Sequence, residues 1–335
     1  MKCNNLIKYI FLSLCVINIS GKSICENETK KYFKKELNLY DTIKNDKIYP
    51  IVLLHGILSD KTQFSPVERW LKEHLPNPVY NLEIGNGKPN SVFKTMDWQL
   101  EELCSTIYSY DELKNGFHFI GMSQGGLLAR AYVEKCNAYP VINLITWVSP
   151  HGGVYGLGNI KINMEQIYTP AKQDKLSFAG YFKDPFRYET YLANSTFLPE
   201  LNNELLFEDG TDAIQYMNMV QHKENMMSLR NFVMIWSPND DVLSPPQSGK
   251  FEFYKILDEE FYSYRGYNME DEIDKSDLEV VDFFESAQFE MNLLGLRTLW
   301  ETGRLHILQT NCTHAGHNSE ACFEQLDDLT FPFLV

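Results

Sequence analysis

Residues 117–125, with the sequence Phe-His-Phe-Ile-Gly-Met-Ser-Gln-Gly, are the most informative segment for predicting the fold of this protein. Its first four residues form an apolar, strand-like run, and residues 126–135 continue with a helix-like pattern. A serine between two glycines, on a tight turn from a strand into a helix, is typical of a nucleophile elbow. A serine hydroxyl is a poor nucleophile at neutral pH, so such a turn places it near a histidine and faces it with backbone N–H groups. The stretch therefore predicts that Ser123 is a catalytic nucleophile.

Continuous apolar runs recur on both sides of this stretch. Because they do not alternate with polar residues, they predict strands that are buried on both faces of a sheet. The predicted strands cover residues 51–54, 117–121, 141–148, 232–236 and 305–308, and residues 79–84, where polar residues intervene, are a weaker strand candidate. Helices are predicted over residues 97–113, with Asp97 as the N-cap, and over residues 319–329. Strands that alternate with helices predict an α/β protein with a mostly parallel sheet flanked by helices.

Two stretches interrupt this alternation, at about residues 151–228 and 245–298. Insertions that leave a parallel sheet at the C-terminal ends of its strands commonly form lids and substrate walls. We therefore expect one α/β-hydrolase domain over residues 24–335, with a helical, lid-like insertion at about residues 151–228.

A serine nucleophile requires a histidine base and an acid that orients it. The order Ser, Asp, His along the chain is the one expected of an α/β-hydrolase fold, with the histidine after the last strand and the acid after the strand before it. His314 is the predicted base, and His317 is its rival. Asp240 and Asp241 both follow the preceding strand, and spacing alone leaves the choice between them open.

The pair His55-Gly56 stands at the end of the first predicted strand. In this fold the residue after such a turn donates a backbone N–H to the oxyanion hole, and the residue after the nucleophile donates another. Ile57 and Gln124 are therefore the predicted donors, and each contributes about 3 kcal/mol of transition-state stabilisation. Ser123 would attack an acyl carbonyl, and water would then release the acid from an acyl-enzyme. This reaction needs no metal and no organic cofactor.

The N-terminus has the layout of a secretory signal peptide, which we place at residues 1–23. Two lysines lead into an apolar stretch at residues 9–19 that is too short to span a bilayer comfortably. An uncleaved membrane anchor is the alternative. The glycosylation sequons at Asn27, Asn194 and Asn311 agree with the secretory route. We expect no stable transmembrane segment after signal cleavage.

Five of the seven cysteines lie after the predicted signal peptide. In an oxidising compartment, two disulfides and one leftover cysteine are expected, and Cys25 has no assigned role. A bridge from Cys104 to Cys136 would brace the turn at the serine, and one from Cys312 to Cys322 would hold the loop of the histidine. Spacing alone does not decide either pairing, and no Cys-x-x-Cys pair suggests a metal site.

The formal net charge of −15 makes nucleic acid an unsuitable partner. Residues 252–290 alone carry 13 acidic and 3 basic side chains, which would repel a polyanion. The ordinary interpretation of this acidic segment is that it is solvent-exposed and extends from the domain.

Several segments of the sequence from about residue 50 to the C-terminus resemble the palmitoyl-protein thioesterase family of lysosomal α/β-hydrolases. The similar segments are Val-Leu-Leu-His-Gly at 52–56, Leu-Glu-Ile-Gly at 82–85, Gly-Met-Ser-Gln-Gly-Gly at 121–126, Ile-Asn-Leu-Ile at 142–145, His-Gly-Gly-Val-Tyr-Gly-Leu at 151–157, Tyr-Phe-Lys-Asp-Pro at 181–185, Tyr-Leu-Ala-Asn-Ser-Thr-Phe-Leu at 191–198 and Gly-Leu-Arg-Thr-Leu at 295–299. By position, the resemblance implies a triad of Ser123, Asp240 and His314. It also implies the disulfide from Cys104 to Cys136 and glycosylation at Asn194.

The resemblance implies removal of long-chain fatty acyl groups from cysteine thioesters, in S-acylated proteins, peptides or acyl-coenzyme A. It implies a location in the lysosome or outside the cell. A lipase or carboxylesterase that acts on O-acyl esters is the alternative enzyme, and a catalytically silent lipid-binding protein with a hydrolase fold is the alternative of another class. Apolar and aromatic residues of the insertion are candidates for an acyl groove: Tyr155, Leu157, Ile160, Ile167, Phe178, Tyr181, Phe182 and Leu192.

Overall fold

The computed structural model describes residues 47–158, 162–163, 166–205, 213–256 and 278–335. Its strands are β1 (Ile51–Leu54), β2 (Val79–Leu82), β3 (Phe117–Met122), β4 (Val141–Trp147), β5 (Gly156–Leu157), β6 (Asn231–Trp236), β7 (Leu243–Ser244), β8 (Phe253–Tyr254), β9 (Val280–Val281) and β10 (Leu305–Gln309). Six of them form one sheet in the order β10-β6-β4-β3-β1-β2, and every pair in it is parallel. The short strands form two antiparallel pairs, β5 with β7 and β8 with β9.

The central strands are mostly apolar because both faces of the sheet are covered. In β1, Val52 and Leu54 belong to the larger hydrophobic cluster, whereas Ile51 and Leu53 belong to a second cluster. Each of these side chains is fully buried. Burial of a leucine or isoleucine contributes about 1.5–3 kcal/mol, which accounts for the continuous apolar runs.

Helices cover both faces. They are α1 (Ser65–His74), α2 (Lys88–Phe93), α3 (Met96–Tyr108), α4 (Gln124–Lys135), α5 (Pro170–Gln173), α6 (Tyr188–Asn194), α7 (Leu198–Leu201), α8 (Ala213–Met227), α9 (Ala287–Glu290), α10 (Leu296–Glu301) and α11 (Glu320–Thr330). Helices α3 and α4 pack against the larger cluster, and α1 and α11 pack against the second.

The predicted N-cap of α3 is wrong. Thr95 caps this helix, and its hydroxyl accepts a hydrogen bond from the backbone N–H of Trp98. Asp97 lies inside the first turn instead, where its negative charge faces the positive end of the helix dipole. The helix also ends at Tyr108 rather than at residue 113, and a separate 3₁₀ turn covers Asp111–Leu113.

The insertion between β4 and β6 is built from short helices and attaches to α4 through a buried charge network. Arg130 on α4 donates to Glu134 Oε1 and to Asn202 Oδ1, each at 2.8 Å, and neither charged side chain is exposed. Asn202 in turn donates to the backbone carbonyl of His151 at 3.1 Å. Because an unpaired buried charge is costly, this network fixes the insertion on the helix that follows Ser123.

Several predictions fall on residues outside those described: the signal peptide at 1–23, Cys25, the sequon at Asn27, the groove candidate Ile160, and residues 257–277 of the acidic segment. The described residues from Tyr49 to Val335 belong to one compact unit. Within the described ranges, no helix combines the length and the apolar composition needed to cross a bilayer.

Candidate active site

Ser123 occupies a strained turn between β3 and α4. Its backbone has φ 55° and ψ −129°, a sparsely populated combination for a residue with a side chain, which typically costs about 1–3 kcal/mol. The turn is held by the hydrogen bond from Ser123 N to Trp147 O at 2.8 Å. Gly125 permits it, because a Cβ atom there would lie 2.3 Å from His55 O. The serine therefore sits at the first turn of α4, beside the end of β1.

His314 and Asp240 form a buried pair. The Nδ1 atom of His314 lies 2.7 Å from Asp240 Oδ2, and the two side chains are 8% and 0% exposed. The other carboxylate oxygen of Asp240 accepts from the backbone N–H groups of Val242 and Leu243, each at 2.9 Å. A carboxylate oxygen accepts hydrogen bonds, so in the neutral imidazole ring Nδ1 carries the proton and Nε2 has the lone pair. This arrangement gives His314 the tautomer that a general base needs.

Asp241 and His317, the rivals left open by spacing, make different contacts. Asp241 Oδ1 accepts from the backbone N–H of His314 at 3.1 Å, so it orders the loop rather than the imidazole ring. His317 is fully buried, with Nε2 at 2.8 Å from Thr310 Oγ1 and Nδ1 at 2.9 Å from Thr313 O. Burial lowers the pKa of His317 and favours its neutral form. Both of its ring nitrogens are engaged, so the ring has no free nitrogen with which to serve as a base.

Two disulfides brace the elements that carry these residues. Cys312 and Cys322 are joined across the loop that contains His314. Cys104 on α3 and Cys136 at the end of α4 are joined across the helices that flank β3. A disulfide lowers the conformational entropy of the unfolded chain. Each of the two therefore stabilises the fold around the site.

The serine, the acid and the histidine all follow strands of one parallel sheet, and so they lie at the same edge. Ser123 comes directly after β3, Asp240 four residues after β6, and His314 five residues after β10. The Asn239 side chain donates to the Asn311 carbonyl at 2.9 Å, which joins the acid loop to the histidine loop. Among the described residues Ser123 Oγ has no hydrogen-bond partner, and apo sites often form this contact only with substrate bound.

The turn after β1 lies against the serine. A Cβ atom at Gly56 would be 2.9 Å from Ser123 Cβ and 3.4 Å from Ser123 Oγ. His55 Nδ1 donates to the Gly56 carbonyl at 2.9 Å, and this carbonyl belongs to the peptide whose N–H is that of Ile57. Burial lowers the pKa of His55, which favours the neutral form of its ring. The bond sets the plane of the Gly56–Ile57 peptide, which is the predicted location of one oxyanion donor.

A buried polar network that no sequence pattern predicted lies next to both predicted donors. Ser91 on α2 and Gln99 on α3 are 3% and 1% exposed, and both contact the side chain of Gln124. The hydroxyl of Tyr181 donates to Gln124 Oε1 at 3.0 Å. No local signal marks Ser91, because Pro-Asn-Ser resembles an ordinary turn. Tyr181 was predicted as a groove residue, and the structure places it in this network instead.

The other groove candidates divide by exposure. Tyr155, Leu157, Ile167 and Phe182 are buried in the larger hydrophobic cluster. Phe178 and Leu192 are half-buried and remain candidates for contact with an acyl chain. In the part of the chain that the structure describes, no group of three acidic, histidine or cysteine side chains is placed to hold a metal ion.

Comparison with known proteins identifies the family. The palmitoyl protein thioesterase family model matches residues 50–314. Palmitoyl-protein thioesterase 3 of Dictyostelium discoideum is 37% identical over 85% of this chain and 92% of its own length. Lysosomal thioesterase PPT2-B of Xenopus laevis is 34% identical over 63% of this chain and 73% of its own length. Among solved structures, an extracellular alpha/beta-hydrolase from a Paenibacillus species aligns with 84% of this chain and 98% of its own at 12% identity, with a TM-score of 0.40.

The fold and the family agree with what the sequence predicted. The six-stranded parallel sheet, with helices on both faces and a serine turn after β3, is an α/β-hydrolase fold. The family model spans most of the domain, and the Dictyostelium discoideum relative matches over 92% of its own length. Both matches point to the same family. The chain belongs to the palmitoyl protein thioesterase family.

Proposed function

We propose that this protein is a serine thioesterase that removes long-chain fatty acyl groups from the cysteine thioesters of S-acylated proteins or peptides. Acyl-coenzyme A is a second substrate class with the same thioester. The observation that carries the proposal is the buried pair of His314 and Asp240 at the sheet edge where Ser123 lies on its strained turn. Family membership supports the thioester as the substrate bond.

In the proposed reaction, Ser123 Oγ attacks the thioester carbonyl carbon while His314 Nε2 accepts the serine proton. Asp240 stabilises the imidazolium that forms. The carbon–sulfur bond then breaks, and the imidazolium returns the proton to the departing thiolate. Water repeats the sequence on the acyl-enzyme, with His314 again as the base, and releases the fatty acid.

The backbone N–H groups of Ile57 and Gln124 are the proposed oxyanion donors. Both belong to segments that lie against Ser123: the turn at Gly56 touches the serine side chain, and Gln124 begins the helix that the serine precedes. The N-terminal end of α4 adds the positive end of its helix dipole. These groups face the position where negative charge develops on the substrate oxygen.

The bond that is cleaved can be tested with two peptides that carry the same palmitoyl chain, one on cysteine and one on serine. A thiol has a pKa of about 8.5, so a thiolate departs more easily than an alkoxide. With the same palmitoyl chain and peptide, we therefore expect kcat/KM to be about tenfold or more higher for the S-acyl peptide than for the O-acyl peptide. A ratio that favours the O-acyl peptide would instead identify a lipase or carboxylesterase.

A substitution at Gly56 should separate catalysis from folding. In Gly56→Ala the added methyl group meets the Ser123 side chain at 2.9 Å, so the nucleophile or the turn must shift. Displacement of a reacting group by about 1 Å can cost about 100-fold in rate, and we expect a fall in kcat/KM of that size. The matched control is Gly249→Ala, whose methyl group would lie 3.0 Å from Trp236 Cβ and whose nearest atoms belong to Trp236 and Val148 rather than to Ser123. Equal losses of turnover in the two variants would contradict the placement of Gly56 at the reacting atoms.

We also propose that the protein acts in the lysosome or outside the cell, reached through the secretory pathway. Two disulfides are expected only where the compartment is oxidising. The sequons at Asn194 and Asn311 have exposed asparagines, as glycosylation requires. A relative from Xenopus laevis carries the name lysosomal thioesterase.

A further inference from the structure

Ser91 holds the turn that carries the first proposed oxyanion donor. Its Oγ atom accepts a hydrogen bond from Leu58 N at 3.0 Å and donates to Lys88 O at 2.8 Å. Leu58 directly follows Ile57, so this bond fixes the peptide on the C-terminal side of the donor. The serine is 3% exposed, which means that no water can replace the bond without rearrangement.

The same residue also holds the segment of the second donor. The Ser91 carbonyl oxygen accepts from Gln124 Nε2 at 2.8 Å. Two further hydrogen bonds fix the orientation of the Gln124 side chain. Its Nε2 atom also donates to Gln99 Oε1 at 3.0 Å, and its Oε1 atom accepts from Tyr181 OH at 3.0 Å. One buried serine therefore joins two segments, each 33 residues away along the chain.

The turn at Leu58 has a strained backbone that the hydrogen bond to Ser91 stabilises. Leu58 has φ 56°, in the left-handed region, which costs a leucine about 1–2 kcal/mol. Its side chain is 56% exposed and supplies little burial to offset that cost. Without the hydrogen bond that Leu58 N donates to Ser91, Leu58 can relax to a negative φ. The neighbouring N–H of Ile57 would then move with it.

From these contacts we infer that Ser91 is a positioning residue, which holds the backbone donors of Ile57 and Gln124 in register with Ser123. It acts on the transition state alone, since the oxyanion exists only there. The inference rests on the proposed function, and it adds a residue that touches neither the substrate nor the reacting atoms.

The test compares two kinds of ligand in Ser91→Ala. The loss of a whole oxyanion donor costs about 10²–10³ in kcat, and a displaced donor costs less, so we expect kcat to fall about 10- to 100-fold with KM within about twofold. The inhibition constant of a palmityl trifluoromethyl ketone, which forms a tetrahedral oxyanion on the serine, should rise by the same factor. The dissociation constant of a palmityl thioether peptide, which has no carbonyl, should stay unchanged.

Two further variants distinguish a loss of catalysis from a loss of stability. Ser286→Ala is the matched control: Ser286 is also buried, donates to a carbonyl three residues earlier and accepts a backbone N–H, and it caps α9. It should lose stability without losing kcat. Ser91→Cys fills the same space with a weaker acceptor and should show a smaller loss of kcat than Ser91→Ala, and it replaces the alanine variant if that variant does not fold.

The outcomes separate this inference from the proposed function. If the wild type hydrolyses no thioester, the proposed function and the role of Ser91 both fail. If the wild type is active but the folded Ser91 variants keep kcat within about twofold, only the role of Ser91 fails. A fall in thioether affinity that parallels the fall in kcat would also overturn it, because a general loosening of the site would then explain both.

Discussion

Ser123→Ala should lower kcat for a palmitoyl thioester by on the order of 10⁶-fold, which is the largest loss that we expect from a single substitution. Removal of the hydroxyl leaves the oxyanion donors and the binding surface but takes away the atom that forms the acyl-enzyme. The variant should remain folded, because alanine fits wherever the serine side chain fits. Single-turnover kinetics with an S-palmitoylated peptide measure the loss, and circular dichroism checks the fold.

Labelling with a fluorophosphonate gives an independent measurement of the same residue. The wild type should gain one covalent label on the peptide that contains Ser123, and Ser123→Ala should gain none, whereas Ser286→Ala should label normally. Folded wild-type protein that takes up no label would favour the alternative of a silent lipid-binding protein. Near-normal turnover in Ser123→Ala would remove the serine from the mechanism.

The second large effect should come from Asp240→Asn. The asparagine amide can present an N–H to His314 Nδ1, which would place the imidazole in the wrong tautomer and remove the charge that stabilises the imidazolium. We expect kcat to fall on the order of 10⁴-fold. Steady-state kinetics at several pH values, with a thermal unfolding curve for each variant, measure the effect.

Asp241→Asn is a natural control because the two aspartates are adjacent. Asp241 accepts from the backbone N–H of His314, and an asparagine Oδ1 can accept the same bond. We therefore expect this variant to keep kcat within a few fold of the wild type. A larger loss in Asp241→Asn than in Asp240→Asn would show that the acid has been assigned to the wrong residue.

Much of the fold was predictable because its signals are local. The continuous apolar runs gave β1 with its observed bounds, and they placed β3, β4, β6 and β10 to within one residue at either end. They did so because a strand with both faces covered has few polar positions. The N-cap of α3 was mispredicted because Thr95 and Asp97 are both residue types that cap helices, and only Thr95 has the non-helical backbone of a cap, with φ −59° and ψ 159°.

The fold class, the serine turn and the family resemblance can be predicted from the sequence alone, because a glycine-flanked turn and buried strands each form a pattern of consecutive residues. Which groups come into contact depends on the tertiary structure. Asp240 rather than Asp241 contacts the His314 ring, His317 is held in the interior, and Ser91 lies beneath both proposed oxyanion donors. These hydrogen bonds, apart from the nearby contacts of His317, join residues 33 to 74 positions apart, and their geometry depends on how strands and loops pack rather than on any local propensity.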